Sequence, residues 1–179
     1  MKRRAALAVA LAVTWLASGC ASVAPLGPAA AGESLSGRLV IKVDALGSEP
    51  ARAFSSTFDL RGDPQNGALG LSTPLGSMLA QARWAPGEVV LMTPQGTRRF
   101  ADLDGLTRDV LGESVPVEAW FDWLRGRPWP AAPSTVVAGD SGFEQLGWSV
   151  DLARFAQGAV SATRQLQPTV TVRIQLDRS

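Results

Sequence analysis

The 179-residue sequence has no histidine and no tyrosine, and its one cysteine is Cys20. Without histidine, the chain cannot form a His/Cys zinc site, a Ser-His-Asp triad or a Cys-His pair. A single cysteine excludes an intramolecular disulfide. Basic and acidic residues balance at 17 to 16, so no basic surface for nucleic acid is expected. Only carboxylate, lysine or serine chemistry remains open to an enzyme, and we predict no metal and no cofactor.

The first 19 residues are predicted to be an export signal. Residues 2–4 are basic, and the apolar run over residues 5–16 is too short for a stable membrane-spanning helix. Residues 16–20, Leu-Ala-Ser-Gly-Cys, resemble a bacterial lipobox, in which the cysteine is lipidated on sulfur and becomes the mature N-terminus. A plain secreted protein cleaved after a small residue is the alternative. Because Cys20 lies at this position, we predict that it is lipidated.

Residues 20–34 are rich in Ala, Pro and Gly and are predicted to be a flexible tether with an r.m.s. span of roughly 20 Å. Ala21 follows the lipobox, and by analogy with Gram-negative lipoproteins it permits export to the outer membrane. Removal of the signal leaves 14 basic and 16 acidic residues, so binding to anionic lipid through charge is not implied. Residues 35–179 are then the folded domain.

Period-two alternation of apolar and polar residues predicts antiparallel strands with one apolar face. The last predicted strand shows it most clearly, since Val170, Val172, Ile174 and Leu176 alternate with more polar residues. Further alternating segments include Leu39 to Val43, Phe54 to Leu60 and Met78 to Trp84. The fold class predicted is mainly β with a few helices.

Two short helices interrupt the predicted strands. In the first, Asp102 is expected to cap the N-terminus and Gly112 to end the helix. In the second, Pro116 begins a helix whose Asp122 is predicted to face solvent. Two short helices are expected to be insufficient to fill a wide concave sheet, which predicts a partly closed barrel with leftover apolar volume. A filled core without a cavity remains open at this stage.

Several segments, in order along residues 37–179, resemble the family of the outer-membrane lipoprotein receptor LolB. They are Gly37-Arg38-Leu39, Ser72-Thr73-Pro74-Leu75-Gly76, Leu111-Gly112, Val115-Pro116-Val117, Trp123-Leu124-Arg125-Gly126-Arg127-Pro128 and Gln145-Leu146-Gly147-Trp148-Ser149-Val150. The resemblance implies an unclosed antiparallel β-barrel with helices covering its concave apolar face. It also implies a monomeric, lipid-anchored protein on the periplasmic side of the outer membrane. Such a protein accepts lipoproteins from the periplasmic carrier LolA and releases them into the outer-membrane bilayer.

The turn Thr73-Pro74-Leu75-Gly76 carries the sharpest site prediction. Thr93-Pro94-Gln95-Gly96 has the same turn chemistry with Gln in place of Leu, so the backbone does not require an apolar residue there. In the resembling family the leucine of this loop protrudes and is implicated in inserting cargo into the membrane. The resemblance therefore assigns Pro74, Leu75 and Gly76 to a membrane-insertion loop. On the residues alone, a Leu75 folded back on its own sheet is the alternative.

Apolar residues on the predicted strands and helices are candidates for contact with the acyl chains of cargo. They are Phe54, Phe58, Leu69, Leu71, Met78, Trp84, Met92, Trp120, Phe121, Leu124 and Trp148. Core packing is the alternative role for each of them. The two methionines would suit a site that fits variable lipids, because their side chains adapt in shape.

Two other functions compete with lipoprotein transfer. One is a structural or assembly lipoprotein of the outer membrane without lipid cargo. The other is a glycosidase with two carboxylates in a cleft, for which Asp59, Asp102, Asp104 and Glu118 are available. Those four acidic residues lie in turn-like, capping or solvent-side patterns, so solvated or capping roles are favoured and no enzyme is predicted.

Overall fold

A computed structural model describes residues 34–137, 139 and 141–177. In that part of the chain, neither α-helix has the length and apolar character needed to cross a membrane. The helices are α1 (Leu103–Leu111) and α2 (Val117–Trp123), and a 3-10 helix covers Phe155–Gln157. The strands are β1 (Ser34–Val43), β2 (Arg52–Gly62), β3 (Gly67–Ser72), β4 (Met78–Ala85), β5 (Glu88–Thr93), β6 (Gly96–Phe100), β7 (Ser134–Val136), β8 (Gly142–Gln145), β9 (Trp148–Asp151), β10 (Ala159–Arg164) and β11 (Val170–Leu176).

All the strands belong to one antiparallel sheet in the order β6-β5-β4-β3-β2-β1-β11-β10-β9-β8-β7. The chain runs through two meanders, β1 to β6 and β7 to β11, which join where β1 pairs with β11. The sheet does not close, because β6 and β7 lie at opposite ends of this order. The predicted fold class, an unclosed antiparallel barrel with helices, is confirmed.

Alternation gives the sheet one buried apolar face. At the central pair, Leu39 lies opposite Ile174, and Ile41 lies opposite Val172. All four side chains are buried, whereas Arg38 and Arg173, on the other face, are exposed. Burying a Val, Leu or Ile side chain contributes about 1.5–3 kcal/mol, so this face fixes the strand register.

Helix α1 begins and ends as predicted. The Asp102 carboxylate accepts a hydrogen bond of 2.7 Å from the Gly105 backbone N–H, which caps the helix. Gly112 ends it in the left-handed conformation with φ 75°, where a side chain would be strained.

Helix α2 is buried on nearly every side, and the prediction that Asp122 faces solvent is wrong. Asp122 is only 6% exposed, and its carboxylate accepts a hydrogen bond of 2.7 Å from Arg127 Nε. The chain reverses at Gly126, which has a φ of 73°, and this reversal brings Arg127 back to the carboxylate. A helix pattern alone does not contain that partner, because Arg127 lies beyond the helix.

A buried glutamine joins the segment after α2 to strand β8. Gln145 is 2% exposed, and its Oε1 accepts hydrogen bonds from Trp123 Nε1 at 2.8 Å and Trp129 N at 2.9 Å. Its Nε2 donates to the backbone oxygens of Trp129 and Ala132 at 2.7 and 2.8 Å. All the hydrogen-bonding capacity of the amide is used, so this polar group is compatible with a buried position.

Gln145→Leu is expected to lower the free energy of unfolding by at least about 2 kcal/mol, because it leaves buried donors and acceptors unpaired. Urea denaturation of the purified protein measures this change. Gln175→Leu is the matched control, since Gln175 is exposed and donates to Gln157 O on the surface. Equal unfolding free energies for the two variants would contradict the role of Gln145.

Glu118 in α2 is predicted to oppose folding at neutral pH. Burial raises the pKa of its carboxyl above the ordinary value of 4.5, and the charges of Asp104 and Asp102 raise it further. Because the folded protein then holds the proton more tightly than the unfolded chain, stability falls as the pH rises through the folded pKa.

Glu118→Gln should therefore be more stable than the parent protein at pH 7, and the difference should shrink as the pH falls below the ordinary value of 4.5. Thermal unfolding between pH 3.5 and 7.5 tests this. The same substitution at Glu144, an exposed residue of β8, serves as the control for removal of a carboxylate. A parallel pH dependence for Glu118→Gln and the parent would refute the assignment.

Candidate functional site: an apolar cavity and its edge

A cavity of about 490 Å³ lies between the concave face of β1–β5 and the helices. This volume falls within the range of roughly 300–1,000 Å³ typical of small-molecule sites. The wall on the sheet side is aliphatic, and α1 supplies the opposite wall. The lining residues are Leu39, Ile41, Phe54, Leu69, Leu71, Leu79, Ala80, Ala82, Leu91, Thr93, Gln95, Arg98, Leu103, Leu106, Thr107, Asp109, Val110, Leu111, Val115, Val117 and Trp120.

Four of the residues predicted from the sequence for acyl contact come together in this lining: Phe54, Leu69, Leu71 and Trp120. The first three extend from neighbouring strands β2 and β3, and Trp120 comes from α2. The sequence did not predict that α1 lines the cavity. An apolar stripe on a helix indicates ordinary core packing equally well. Val110 is not packed as a core residue would be, because it lines the cavity and remains half exposed.

Five other predicted residues are buried but lie outside the lining: Phe58, Trp84, Phe121, Leu124 and Trp148. Three of them, Trp84, Phe121 and Trp148, take part in ring–ring contacts. Trp84 meets Phe121 edge to face at 6.1 Å between centroids, and Trp148 lies 6.3 Å from Trp123. These side chains fill the part of the concave face that α2 covers.

The structure does not place the two methionines, Met78 and Met92, in the lining, because both lie on the outer face. In β4 a bulge opposite Leu71 and Ser72 adds Leu79 as an extra residue, which changes the alternation. Leu79 therefore points into the cavity, and Met78 is 50% exposed. Met92 lies between Leu91 and Thr93, both of which line the cavity, so alternation places it on the opposite face.

Polar groups gather at the part of the lining nearest β6. Arg98 Nη2 lies 2.6 Å from Asp109 Oδ1, which joins β6 to the last turn of α1. The hydrogen bond from Arg98 lowers the pKa of the Asp109 carboxyl. The guanidinium also lies 5.1 Å from the centre of the Phe100 ring. Thr93 and Gln95 complete this polar margin, while the rest of the wall is mostly apolar.

The β3–β4 loop projects a leucine into solvent. Leu75 is 95% exposed, so it does not fold back on the sheet. Thr73 holds the loop at its base, since its N–H donates to Ser77 O at 2.9 Å and its carbonyl accepts from Gly76 N at 2.9 Å. Gly76 has a φ of 84°, a conformation that favours glycine. The turn is therefore ordered by its backbone, and the exposed leucine contributes nothing to its packing.

The related turn at residues 93–96 differs at the corresponding side chain. Thr93 Oγ1 donates to Gly96 O at 3.3 Å, and Gln95 lies against the cavity. The two turns share a sheet edge but present opposite chemistry. Leu75 is thus an apolar exposure that the turn type does not require.

Three of the four acidic residues available for a glycosidase have structural partners. Asp102 caps α1, Asp104 forms an ion pair with Arg108, and Asp59 forms one with Arg61. Within the described residues, no group of three or more His, Cys, Asp or Glu side chains is placed to hold a metal ion. Cys20, the signal peptide and nearly all of the tether lie outside the described residues, so their assignment stays a prediction.

Comparison with known proteins identifies the family. The family model described as "Outer membrane lipoprotein LolB" matches residues 34–178. The outer-membrane lipoprotein LolB of Bordetella petrii is 38% identical over 148 residues, which cover 78% of this chain and 74% of the relative. The proteins of the same name from Bordetella pertussis and Chromobacterium violaceum are 40% and 33% identical, over 79% and 82% of this chain and 75% and 81% of theirs. The chain belongs to the outer membrane lipoprotein LolB family.

Proposed function

We propose that this protein accepts lipoproteins from the periplasmic carrier LolA, holds their acyl chains in the cavity and inserts them into the outer membrane. A lipid on Cys20 anchors it to the periplasmic side of that membrane. The observation that carries the proposal is the apolar cavity of about 490 Å³, bounded by β1–β5 and α1. The relatives of this chain are named outer-membrane lipoproteins, which supports a location at the outer membrane.

Shielding of hydrocarbon from water explains why a cavity is needed. Each acyl methylene exposed to water costs about 0.8 kcal/mol, so a chain of more than a dozen costs on the order of 10 kcal/mol. Direct transfer from the carrier's cavity to this one avoids that cost. Net flow then requires only that affinity rises from carrier to receptor and from receptor to bilayer.

No covalent step is part of this function. The carboxylates considered for catalysis cap a helix or pair with arginines, and Glu118 is partly buried in α2. Partition of hydrocarbon between apolar environments needs neither a nucleophile nor a cofactor. An anchor in the target membrane would keep the receptor's local concentration high there, which adds efficiency to transfer.

Leu75 is the residue that we assign to membrane insertion. Its side chain is held out by an ordered turn and is uncovered by any neighbour, as its 95% exposure indicates. In hydrocarbon a leucine recovers about 1.5–3 kcal/mol relative to water. Contact of this loop with the bilayer would bring the cavity to the lipid surface at the moment of release.

Leu75→Glu is expected to leave the protein folded and able to accept cargo from LolA, while delivery to vesicles falls at least about tenfold, since the lost burial exceeds 1.4 kcal/mol. Transfer of a labelled lipoprotein from LolA to liposomes measures both steps. Gln65→Glu places the same charge on an exposed turn at the opposite sheet edge and should deliver normally. Undiminished delivery by Leu75→Glu would remove the assignment.

Ala82→Phe tests the cavity without creating a new hole. Ala82 lies between Leu69 and Leu91 on the adjacent strands, and all three line the cavity. A phenyl ring there should fill the space and exclude at least two acyl methylenes. The Kd of a fluorescent fatty-acid probe should then rise about tenfold or more.

Thermal unfolding of Ala82→Phe is measured in parallel, and the melting temperature should not fall, because the added ring occupies empty volume. Unchanged probe affinity in a folded Ala82→Phe protein would contradict the proposed cavity. A parent protein that binds no probe at all would favour the structural or assembly lipoprotein instead.

A further inference from the structure

Five of the connections between strands lie at the same edge of the sheet. The pairings of Val43 with Arg52 and with Val170 place the β1–β2 and β10–β11 connections together. The antiparallel order adds the connections β3–β4, β5–β6 and β8–β9 to the same edge, which we call the mouth edge. Phe54, near the start of β2, and Thr93, at the end of β5, line the cavity at this edge.

The exposed leucines of the described domain lie at the mouth edge. Among the described residues, the leucines left substantially exposed are Leu46, Leu75, Leu146 and Leu166, and each lies in a different turn of this edge. Leu166 is 68% exposed in the β10–β11 turn, and Leu146 is 46% exposed in the β8–β9 turn. Val110 and Val136 are exposed elsewhere, as scattered apolar residues on a protein surface ordinarily are, whereas these four leucines share one edge.

Three of the four turns that carry these leucines contain no charged residue. They are residues 73–77, 146–147 and 165–169, with the sequences TPLGS, LG and QLQPT. The β1–β2 connection differs, because Asp44 and Glu49 flank Leu46. Insertion of a turn into the interface of a bilayer requires that it carry few charges, so Leu75, Leu146 and Leu166 fit a lipid surface and Leu46 fits it less well.

The backbone at Leu146 provides a second observation. Leu146 has a φ of 54° and is followed by Gly147 with a φ of 76°, in a two-residue hairpin turn between Gln145 and Trp148. Turns with positive φ at both residues favour Asn-Gly or Gly-Gly, because a leucine is strained there. Leu146 is therefore unfavourable for the turn and, being half exposed, gains little from packing. Such a residue calls for a role outside folding.

We propose that Leu146 and Leu166 contact the outer-membrane bilayer together with Leu75, so that the protein rests on phospholipid with its mouth edge toward the membrane. This inference rests on the proposed function and adds an orientation to it. The three leucines extend separately from three turns, without the aromatic and arginine side chains that enrich protein interfaces. Isolated aliphatic side chains suit fluid hydrocarbon better than a structured protein partner.

The length of the tether permits this orientation. The chain leaves the described domain at Ser34, at the end of β1 opposite the mouth edge. The ten residues of β1 span about 33 Å. Thirteen residues lie between Cys20 and Ser34, and the fourteen Cα–Cα steps reach at most about 50 Å when extended, so an anchor at Cys20 can lie in the same bilayer as the mouth edge.

Depth-dependent quenching in vesicles tests the proposal. Leu75→Cys, Leu146→Cys, Leu166→Cys and Val136→Cys are made one at a time in the full lipidated chain, and each thiol is labelled with an environment-sensitive fluorophore. Val136 is the matched control, because it is 68% exposed like Leu166 but lies on β7, away from these turns. The vesicles contain phosphatidylethanolamine and phosphatidylglycerol, with or without nitroxide on the acyl chains.

We expect acyl-chain nitroxide to quench the labels at positions 146 and 166 and to leave the label at 136 bright. Quenching at 75 alone would overturn this proposal and leave the insertion role of Leu75 intact. Equal quenching at all four positions, or shielding of 146 and 166 by added LolA but not by vesicles, would also overturn it. Quenching at 146 and 166 without 75 would support the orientation while contradicting the proposed role of Leu75.

Discussion

A wide sheet with one apolar face must be shielded from water, and the described helices shield only part of that face. The eleven strands bury aliphatic side chains on the concave side, and the helices available to cover them have nine and seven residues. Helix α2 packs tightly through Trp123, Phe121 and the rings around them. Helix α1 faces strands β1–β5, and the space between them is the cavity. Because the helices cover the concave face incompletely, an apolar cavity remains between α1 and the sheet.

The cavity has aliphatic walls and a polar margin at Arg98 and Asp109, and Leu75 extends into solvent from the β3–β4 loop. In the proposed function, an acyl chain moves from one apolar environment to another. Transfer is driven by partition of the acyl chain between apolar environments. A site built from leucines and small residues, without reactive groups, agrees with this.

Sequence patterns predicted the structural features that depend on interactions between residues close in the chain. Alternation identified the strand that ends the fold, and Asp102 and Gly112 marked both ends of α1 because capping involves neighbouring residues only. Met78 was placed on the wrong face because one extra residue in β4 inverts the alternation, and a bulge leaves no clear mark in composition. Asp122 and Gln145 depend on partners that the chain brings back after a reversal, so their burial follows from tertiary structure. The strained φ of Leu146 also becomes visible only in the structure.

In the proposed function, the cavity between β1–β5 and α1 holds the acyl chains of cargo. Photo-cross-linking measures this most directly, with a lipoprotein whose acyl chains carry a diazirine, delivered by LolA and followed by mass spectrometry of the cross-linked peptides. We expect adducts on cavity residues of β3 and α1, such as Leu71 and Leu106, and few on the outward-facing Met92. Adducts distributed equally over both faces of the sheet, or concentrated on the outer one, would contradict it.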